Sequence, residues 1–302
     1  MKIVYMGTPA VAVPPLDRIY SDGYDVVAVF TQPDRPRSRG MKVTYSPVKE
    51  LALKNNTPVY QPLSLRNGEA LEILNKLTFD LIVVVAYGKI LPLEILSAAP
   101  LGAINIHASL LPKYRGAAPI QWAILSGETK TGVTAMYMAQ ELDAGDIILA
   151  KTTKIEENET AGELMARLSH LGAQLLSETI CAITEGTQKR VPQDHAIATF
   201  APLLSRELSP INWNDTAANI KNKVRGLSPW PGATSEIKGT IFKIYNVDIS
   251  KSAHPNAPGD ILSVGKHGIE IACNDGLVII KELQASGGKR MSVEEYIKGN
   301  TF

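Results

Sequence analysis

The chain of 302 residues is long enough for one large domain or for two domains with separate cores. Its formal net charge of +1 excludes a nucleic-acid binder that depends on overall positive charge. No segment approaches the roughly 18 apolar residues of a membrane helix, and the first residues lack the plan of a signal peptide. We therefore expect a cytoplasmic protein without membrane contact, and a monomer, because no segment suggests an obligate interface.

Through the first 150 residues, short apolar runs alternate with segments of helical period. The runs predict strands at 2–6, 25–30, 57–60, 80–86, 102–106, 132–138 and 147–154, and the periodic segments predict helices at 11–21, 46–55, 67–77 and 120–126. Leucines spaced along 160–185 predict a long helix packed on the sheet. This alternation predicts an α/β fold, a doubly wound and mainly parallel sheet of the Rossmann type. The single Gly7 after the first strand does not complete a dinucleotide fingerprint, so we expect no nicotinamide cofactor.

The pattern changes after Gly186. Residues 189–208 are basic, contain prolines and lack periodicity, which is typical of a linker. A helix at 217–225 then precedes short strands at 232–237, 241–248, 259–263, 268–273 and 277–283, which predict a small β-barrel. We therefore predict a first domain at 1–188, a basic linker at 189–208 and a C-terminal domain at 209–302.

Two polar residues interrupt the end of an apolar strand. Asn105 and His107 are two positions apart, so their side chains project from the same face of the strand. Ligands of open α/β sheets bind at the carboxyl ends of the strands, which makes the pair a candidate site. From this pattern alone a buried core histidine beside an asparagine remains an equal alternative.

Asp143 favours the functional alternative. It lies in a glycine-containing loop between two predicted strands, and we expect this loop at the same edge of the sheet as His107. A carboxylate would orient His107 as a base, and the Asn105 amide could stabilise an oxyanion, which together suit acyl transfer to an amine. The sequence lacks a G-x-S-x-G elbow, a cluster of metal ligands and a cysteine near the site, so we expect neither metal nor enzyme nucleophile.

Three motif blocks resemble the signature of the folate-dependent formyltransferases: Asn105-x-His107, the segment 109–116, and Leu142-Asp143-x-Gly145-Asp146. The resemblance covers essentially the whole chain. It implies 10-formyltetrahydrofolate as the formyl donor and a catalytic triad of Asn105, His107 and Asp143. It also implies an OB-like C-terminal barrel and the following folate contacts: Ser109, Leu110, Leu111, Pro112, Val85, Tyr87, Leu91, Gln140 and Leu142.

Other features resemble the members of this family that formylate methionine on initiator methionyl-tRNA. The loop from Asp34 to Lys42 carries four basic residues and one acid, and the resemblance implies that it enters the acceptor stem. The segment 116–121 resembles these members more closely than it resembles the enzymes that act on a sugar nucleotide. The C-terminal half argues against the short enzyme that modifies glycinamide ribonucleotide, which lacks such a domain. The implied tRNA contacts are Arg35, Arg37, Arg39, Lys42, Lys189, Arg190, Arg206 and Lys223.

Three alternatives remain beside this interpretation. The enzyme could formylate an amino sugar nucleotide, because those enzymes carry a related C-terminal domain. A tRNA-binding protein with a decayed catalytic domain is a second alternative, although the intact Asn105, His107 and Asp143 speak against it. A formyl-folate hydrolase is the third, but the basic loop offers nothing to that reaction.

Overall fold

The fold is that of a computed structural model, which describes residues 1–37, 42–252 and 254–300, with the backbone alone at 35–37 and 42–43. The described chain divides into two compact units. The first contains residues 1–116, 132–153 and 165–200, and the second contains residues 117–131, 154–164 and 201–302.

Secondary structure alternates between strand and helix before residue 190 and is mostly strand after 230. The strands up to residue 154 are β1 (Lys2–Gly7), β2 (Asp25–Phe30), β3 (Arg35–Arg37), β4 (Lys42–Thr44), β5 (Val59–Tyr60), β6 (Leu81–Val85), β7 (Ala103–His107), β8 (Arg115–Gly116), β9 (Lys130–Tyr137) and β10 (Ile147–Lys154). The helices are α1 (Val13–Ser21), α2 (Pro47–Lys54), α3 (Glu69–Asn75), α4 (Leu93–Leu96), α5 (Pro119–Leu125), α6 (Ala161–Glu185), α7 (Ala217–Gly226) and α8 (Val293–Ile297). Short 3-10 helices lie at Ala10–Ala12, His195–Ile197 and Arg206–Leu208.

A seven-stranded sheet forms the first unit, with strand order β10-β9-β7-β6-β1-β2-β5. The five strands from β7 to β5 run parallel to one another. Five consecutive residues are buried in both β1 and β6, which requires cover on both faces of the sheet. The predicted doubly wound, mainly parallel sheet is therefore confirmed.

The edge of the sheet that carries β9 departs from the parallel pattern. β9 runs antiparallel to β7, with Ile104 opposite Tyr137 and His107 opposite Thr134. The end of β9 therefore lies beside the beginning of β7. The loop that follows β9 therefore starts at the opposite end of β7 from His107, because an antiparallel neighbour ends where its partner starts.

The long helix α6 confirms the prediction made from its leucines. Leu168, Leu175 and Leu176 are at most 2% exposed, and Gly172 lets the helix approach the sheet closely. A Cβ atom at Gly172 would lie 3.1 Å from a methyl group of Ile106 on β7. This helix therefore packs directly behind the strand that carries Asn105 and His107.

The second unit contains the predicted C-terminal β structure. Its strands after β11 (Phe200–Ala201) are β12 (Ala233–Ile237), β13 (Thr240–Ser250), β14 (Ile261–Gly265), β15 (Gly268–Cys273), β16 (Gly276–Ala285) and β17 (Met291–Ser292). These six strands form one antiparallel sheet in the order β12-β13-β16-β15-β14, and β17 also pairs with β16. Its core includes Phe242, Ile244 and Ile280, and α7 contributes Ile220 and Val224 to it.

Part of the segment predicted as a linker packs against the first unit. Val191 forms an antiparallel bridge with Ile147, and Gln193 is only 6% exposed. Residues up to 200 belong to this unit. None of the helices in the described part of the chain is long and apolar enough to cross a membrane.

Candidate active site

β7 places Asn105 and His107 in the interior of the sheet. Asn105 lies between Val84 of the parallel neighbour β6 and Met136 of the antiparallel neighbour β9. The strand ladder therefore fixes the backbone of Asn105 from both sides, and His107 pairs with Thr134 of β9. His107 is 6% exposed, whereas Asn105 is only partly buried.

Each ring nitrogen of His107 faces an oxygen acceptor. Nε2 lies 2.9 Å from the carbonyl oxygen of Tyr114, and Nδ1 lies 3.5 Å from Oδ2 of Asp143. A neutral ring that donates from Nε2 to Tyr114 turns the lone pair of Nδ1 towards the carboxylate. Only a ring protonated on both nitrogens can donate in both directions.

Asp143 is held by the backbone of β8 and by its own unusual conformation. Its Oδ2 accepts a hydrogen bond from the N–H of Gly116 at 2.8 Å, and the residue is 9% exposed. Its φ of +50° lies in the left-handed region, which residues with a side chain rarely adopt. Such conformations persist where the surroundings hold them, and they are frequent in active sites.

The loop between β9 and β10 returns over the sheet to bring Asp143 to His107. This loop begins beyond Tyr137, which is opposite Ile104 rather than His107. It turns sharply at Gly145, where a Cβ atom would lie 1.8 Å from the carbonyl oxygen of Tyr137. The glycine of the Asp-x-Gly motif is therefore required by close backbone packing.

The side chain of Asn105 remains available. Among the residues that the structure describes, none forms a hydrogen bond with its amide, although the residue is only partly exposed. An amide has two N–H donors that can turn towards an oxygen acquiring negative charge. Asn105, His107 and Asp143 thus form one polar site, with an oxyanion donor beside a histidine–carboxylate pair.

In the segment after β7, the polar atoms form hydrogen bonds within the segment and with Thr134. The Ser109 hydroxyl donates to the carbonyl oxygen of Lys113 at 2.6 Å, and Ser109 is fully buried. The Thr134 hydroxyl donates to the Ser109 carbonyl at 2.6 Å, and the Leu111 N–H donates to the Thr134 hydroxyl oxygen at 3.2 Å. The peptide bond before Pro112 is cis. The Ser109 side chain is therefore a structural element of this turn.

The other predicted folate contacts differ in exposure. Val85, Tyr87 and Leu91 are at most 5% exposed, and the latter two belong to the core between the sheet, α3 and α4. Burial raises the pKa of Tyr87 to about 12. Gln140 is exposed and Leu142 is 61% exposed, on the loop that holds Asp143. These two residues present an apolar and an amide side chain to solvent on the same loop as the Asp143 carboxylate.

The predicted tRNA contacts fall into two groups. Arg39 lies outside the described residues, as do the side chains of Arg35, Arg37 and Lys42, although the backbone of β3 pairs with that of β4. In the second group Arg190 stacks 4.0 Å from the Tyr137 ring centroid, whereas Lys189 and Arg206 are exposed.

Lys223 has a structural partner. Its Nζ donates to the carbonyl oxygen of Pro210 at 2.6 Å, and burial lowers the pKa of the amine. A contact from Lys223 to a phosphate would therefore have to compete with this bond.

Arg115 and Gln193 were not identified from the sequence. Arg115 is 4% exposed, and its Nε and Nη2 donate to Oε1 of Gln193 at 3.1 and 2.7 Å. The Gln193 amide in turn donates to the carbonyl oxygens of Asp143 and Gly145, both at 2.8 Å. The position of Arg115 between Tyr114 and Gly116 of the motif could have indicated its importance. No local sequence feature distinguishes Gln193.

Within the described part of the chain, no group of three or more histidine, cysteine, aspartate or glutamate residues could hold a metal ion.

Comparison with known proteins identifies the class. Residues 1–180 match the formyl transferase family, and residues 203–301 match the formyl transferase C-terminal domain. The chain therefore belongs to the formyl transferase family, which confirms the resemblance found in the three motif blocks.

Relatives of high similarity specify the branch of the family. The methionyl-tRNA formyltransferase of Clostridioides difficile (strain 630) is 48% identical over 302 residues, covering 100% of this chain and 98% of that protein. The methionyl-tRNA formyltransferase of Alkaliphilus oremlandii (strain OhILAs) is 49% identical over 302 residues, covering 100% and 97%.

Solved structures share the fold. The N-formyltransferase from Helicobacter canadensis, in complex with folinic acid and dTDP-3-aminofucose, has a TM-score of 0.72 at 22% identity and covers 96% of this chain and 100% of that chain. HypX from Aquifex aeolicus has a TM-score of 0.67 at 19% identity and covers 100% of this chain and 48% of that chain. At these identities the likeness concerns the fold alone.

Proposed function

We propose that this enzyme transfers the formyl group of 10-formyltetrahydrofolate to the amino group of methionine on initiator methionyl-tRNA. The observation that carries the proposal is the 48% identity to a methionyl-tRNA formyltransferase along the entire chain. The His107–Asp143 pair, whose Nδ1 and Oδ2 atoms lie 3.5 Å apart, and the available Asn105 amide beside it supply the chemistry. The reaction belongs in the cytoplasm, where translation takes place, and we expect a monomer to perform it.

Direct attack by the amine explains the polar site. The methionine nitrogen forms a bond to the formyl carbon, and the carbonyl electrons move to the oxygen, where Asn105 donates a hydrogen bond. The nitrogen loses a proton to the His107–Asp143 pair. The resulting imidazolium donates to Tyr114 and Asp143, whose oxygens lie 2.9 and 3.5 Å from the two ring nitrogens. The carbonyl then re-forms, and the bond to N10 of tetrahydrofolate breaks as that nitrogen takes a proton.

Folate binding fits the surroundings of Asp143. The exposed Leu142 and Gln140 would cover one side of the pteridine ring, and the turn with Ser109, Leu110, Leu111 and Pro112 would contribute its backbone. Val85, Tyr87 and Leu91 would support the pocket from the core, because their side chains are buried. Their contribution is therefore to its shape rather than to hydrogen bonds with the ligand.

Recognition of tRNA is assigned to basic segments. The loop that contains Arg35, Arg37, Arg39 and Lys42 would contact the acceptor stem, and Lys189, Arg190 and Arg206 would contact the backbone nearby. Lys223 would join them at the cost of its bond to Pro210. In this proposal, residues 1–188 form the catalytic domain, residues 189–208 form a basic linker and residues 209–302 form the tRNA-binding domain.

A competition assay tests the acceptor. The enzyme is supplied with radiolabelled 10-formyltetrahydrofolate and equal concentrations of initiator methionyl-tRNA and of an amino sugar nucleotide. The proposal predicts label on methionine, with uncharged tRNA as an unlabelled control. Label on the sugar would show that the enzyme serves the amino sugar pathway, and free formate alone would show a hydrolase.

A further inference from the structure

We propose that Gln193 is a positioning residue, which holds the Asp143 loop against His107 although it contacts no reacting atom. This inference deepens the proposed function, because it concerns how the formyl-transfer site is assembled. Gln193 lies in the segment predicted as a linker, and it is 6% exposed. Its side chain forms four hydrogen bonds to nitrogen and oxygen partners, although the segment has no regular strand or helix. Such bonding of a buried side chain indicates a specific structural role.

The four bonds connect two parts of the site. Nε2 of Gln193 donates to the carbonyl oxygens of Asp143 and Gly145, both at 2.8 Å. Oε1 accepts from Nε and Nη2 of Arg115 at 3.1 and 2.7 Å. The glutamine thus joins the backbone of the Asp143 loop to a buried arginine.

The orientation of the Gln193 amide is determined by its neighbours. An arginine side chain can only donate, and a backbone carbonyl oxygen can only accept. A flipped amide would place two donors against Arg115 and an acceptor against two acceptors. Glutamine is therefore suited to this position by both ends of its amide.

The loop needs such support because of its shape. Asp143 has a φ of +50°, and Gly145 lies so close to Tyr137 that a Cβ atom would lie 1.8 Å from its carbonyl oxygen. The Gln193 bonds occupy the carbonyls on either side of Ala144. Loss of both donors would leave these carbonyls unpaired in a buried region, which favours a rearrangement of the loop. The Oδ2 of Asp143 would then leave its position 3.5 Å from His107.

A single segment of three residues connects the triad to this support. Tyr114 accepts from His107, Gly116 donates to Oδ2 of Asp143, and Arg115 between them binds Gln193. The side chain and backbone of Asp143 are therefore fixed from the same short strand. This arrangement explains why an arginine that is 4% exposed lies within the motif.

Gln193→Glu is the discriminating variant. Glutamate keeps the acceptor for Arg115 and nearly the same shape, but it loses both donors to the loop. We expect kcat to fall by about 10- to 100-fold, as for other small misplacements of catalytic groups. The KM for methionyl-tRNA should stay close to that of the wild type, because the nitrogen and oxygen partners of Gln193 belong to Arg115 and to the Asp143 loop. A neutral variant, Gln193→Met, should show the same loss, and the matched control Asp194→Asn should behave as the wild type.

A double-mutant cycle separates positioning from general stability. If Gln193 acts through Asp143, Gln193→Glu in an Asp143→Asn background should lower the single-turnover rate by less than about threefold. An equal loss in both backgrounds would overturn the proposal, as would a wild-type rate in both Gln193 variants.

Hydrogen exchange of residues 139–146 supplies a readout independent of the acceptor. Faster exchange in Gln193→Glu than in Asp194→Asn is expected whether or not methionyl-tRNA is the acceptor, and unchanged exchange would contradict the proposal. Failure of the wild type to formylate methionyl-tRNA would refute only the proposed function.

Discussion

At the scale of single residues, the neighbours of His107 can accept a hydrogen bond from each ring N–H of a protonated imidazole. Its two ring nitrogens face the oxygens of Tyr114 and Asp143. A histidine that accepts a proton from the amine therefore finds an acceptor for each N–H. Fixed acceptors need little reorganisation as charge develops, which is the usual source of electrostatic catalysis.

Asn105→Ala tests the oxyanion role. Because its amide is the donor assigned to the developing negative charge, we expect kcat to fall by about 10²- to 10³-fold while the KM values change little. Steady-state kinetics with both substrates measures this split. Gln121→Ala, on α5, is a control of similar chemistry outside the site. A tenfold higher KM with an unchanged kcat would assign Asn105 to substrate binding instead.

Asp34 provides a prediction of pH-dependent stability. Burial opposes its ionisation, but hydrogen bonds from Lys49 and Gln61, at 2.5 and 2.9 Å, outweigh this and lower the pKa of the carboxyl. A lowered native pKa adds stability that is complete above the unfolded value of about 3.9 and disappears as the pH falls through the native value. The base of the 34–42 loop should therefore weaken in acid.

Lys49→Met should reduce the free energy of unfolding by about 1 to 3 kcal/mol at pH 7, because a charged hydrogen bond is lost. The difference from the wild type should be smaller at pH 3, because the stability gained from the lowered pKa of Asp34 begins to be lost below the unfolded value of about 3.9. Urea denaturation at the two pH values measures it. Lys54→Met changes an exposed lysine on the same helix α2 and should have little effect. An equal difference at both pH values would contradict the assignment to Asp34.

The residues of the polar site could be identified as candidates from the sequence because each carries a local signal. Asn105 and His107 are polar residues at the end of an apolar strand, and Asp143 lies in a glycine-containing loop. Gln193 carries no such signal. Its role arises from contact with Arg115, 78 positions earlier in the chain, which only the folded structure reveals.

At the scale of elements, strand positions were more predictable than strand directions. Strand 25–30 was predicted with its observed bounds, and helix 160–185 was predicted to within one residue. The antiparallel direction of β9 was missed, because alternating burial does not encode direction. For the same reason the path of the Asp143 loop across the sheet could not be derived.

Gly145→Ala tests that path. The added methyl group would lie 1.8 Å from the Tyr137 carbonyl oxygen, so the loop must shift and carry Asp143 with it. We expect a loss of about 1 to 3 kcal/mol in stability and a fall in kcat of about 100-fold. Gly265→Ala, where no atom lies within 4 Å of the added group, is the control. Wild-type kcat in Gly145→Ala would show that the loop does not depend on this contact.

At the scale of the whole molecule, we propose that regions outside the polar site select the acceptor. The formyl transferase match covers residues 1–180, and a separate C-terminal match covers 203–301. The net charge of +1 means that attraction to tRNA must come from local basic segments. The composition of the chain alone could not have predicted a tRNA substrate.

The double change Arg37→Ala and Arg39→Ala tests the loop proposed to enter the acceptor stem. We expect the KM for methionyl-tRNA to rise about tenfold or more and its salt dependence to weaken, because phosphate contacts are lost. Folate affinity should be unchanged. Arg66→Ala with Lys76→Ala removes the same charge from exposed sites of the first unit and serves as the control. The same rise in KM in the control would show that the effect comes from the overall charge of the protein and not from contacts of this loop.

We propose that the site of Asn105, His107 and Asp143 formylates methionyl-tRNA. The single-turnover rate of formyl transfer to initiator methionyl-tRNA by His107→Ala tests this role, with circular dichroism to verify the fold. We expect a correctly folded variant whose rate is lower by about 10²- to 10⁴-fold, the usual contribution of a general base. A folded variant that retains a rate within about threefold of the wild type, well below that contribution, would contradict it.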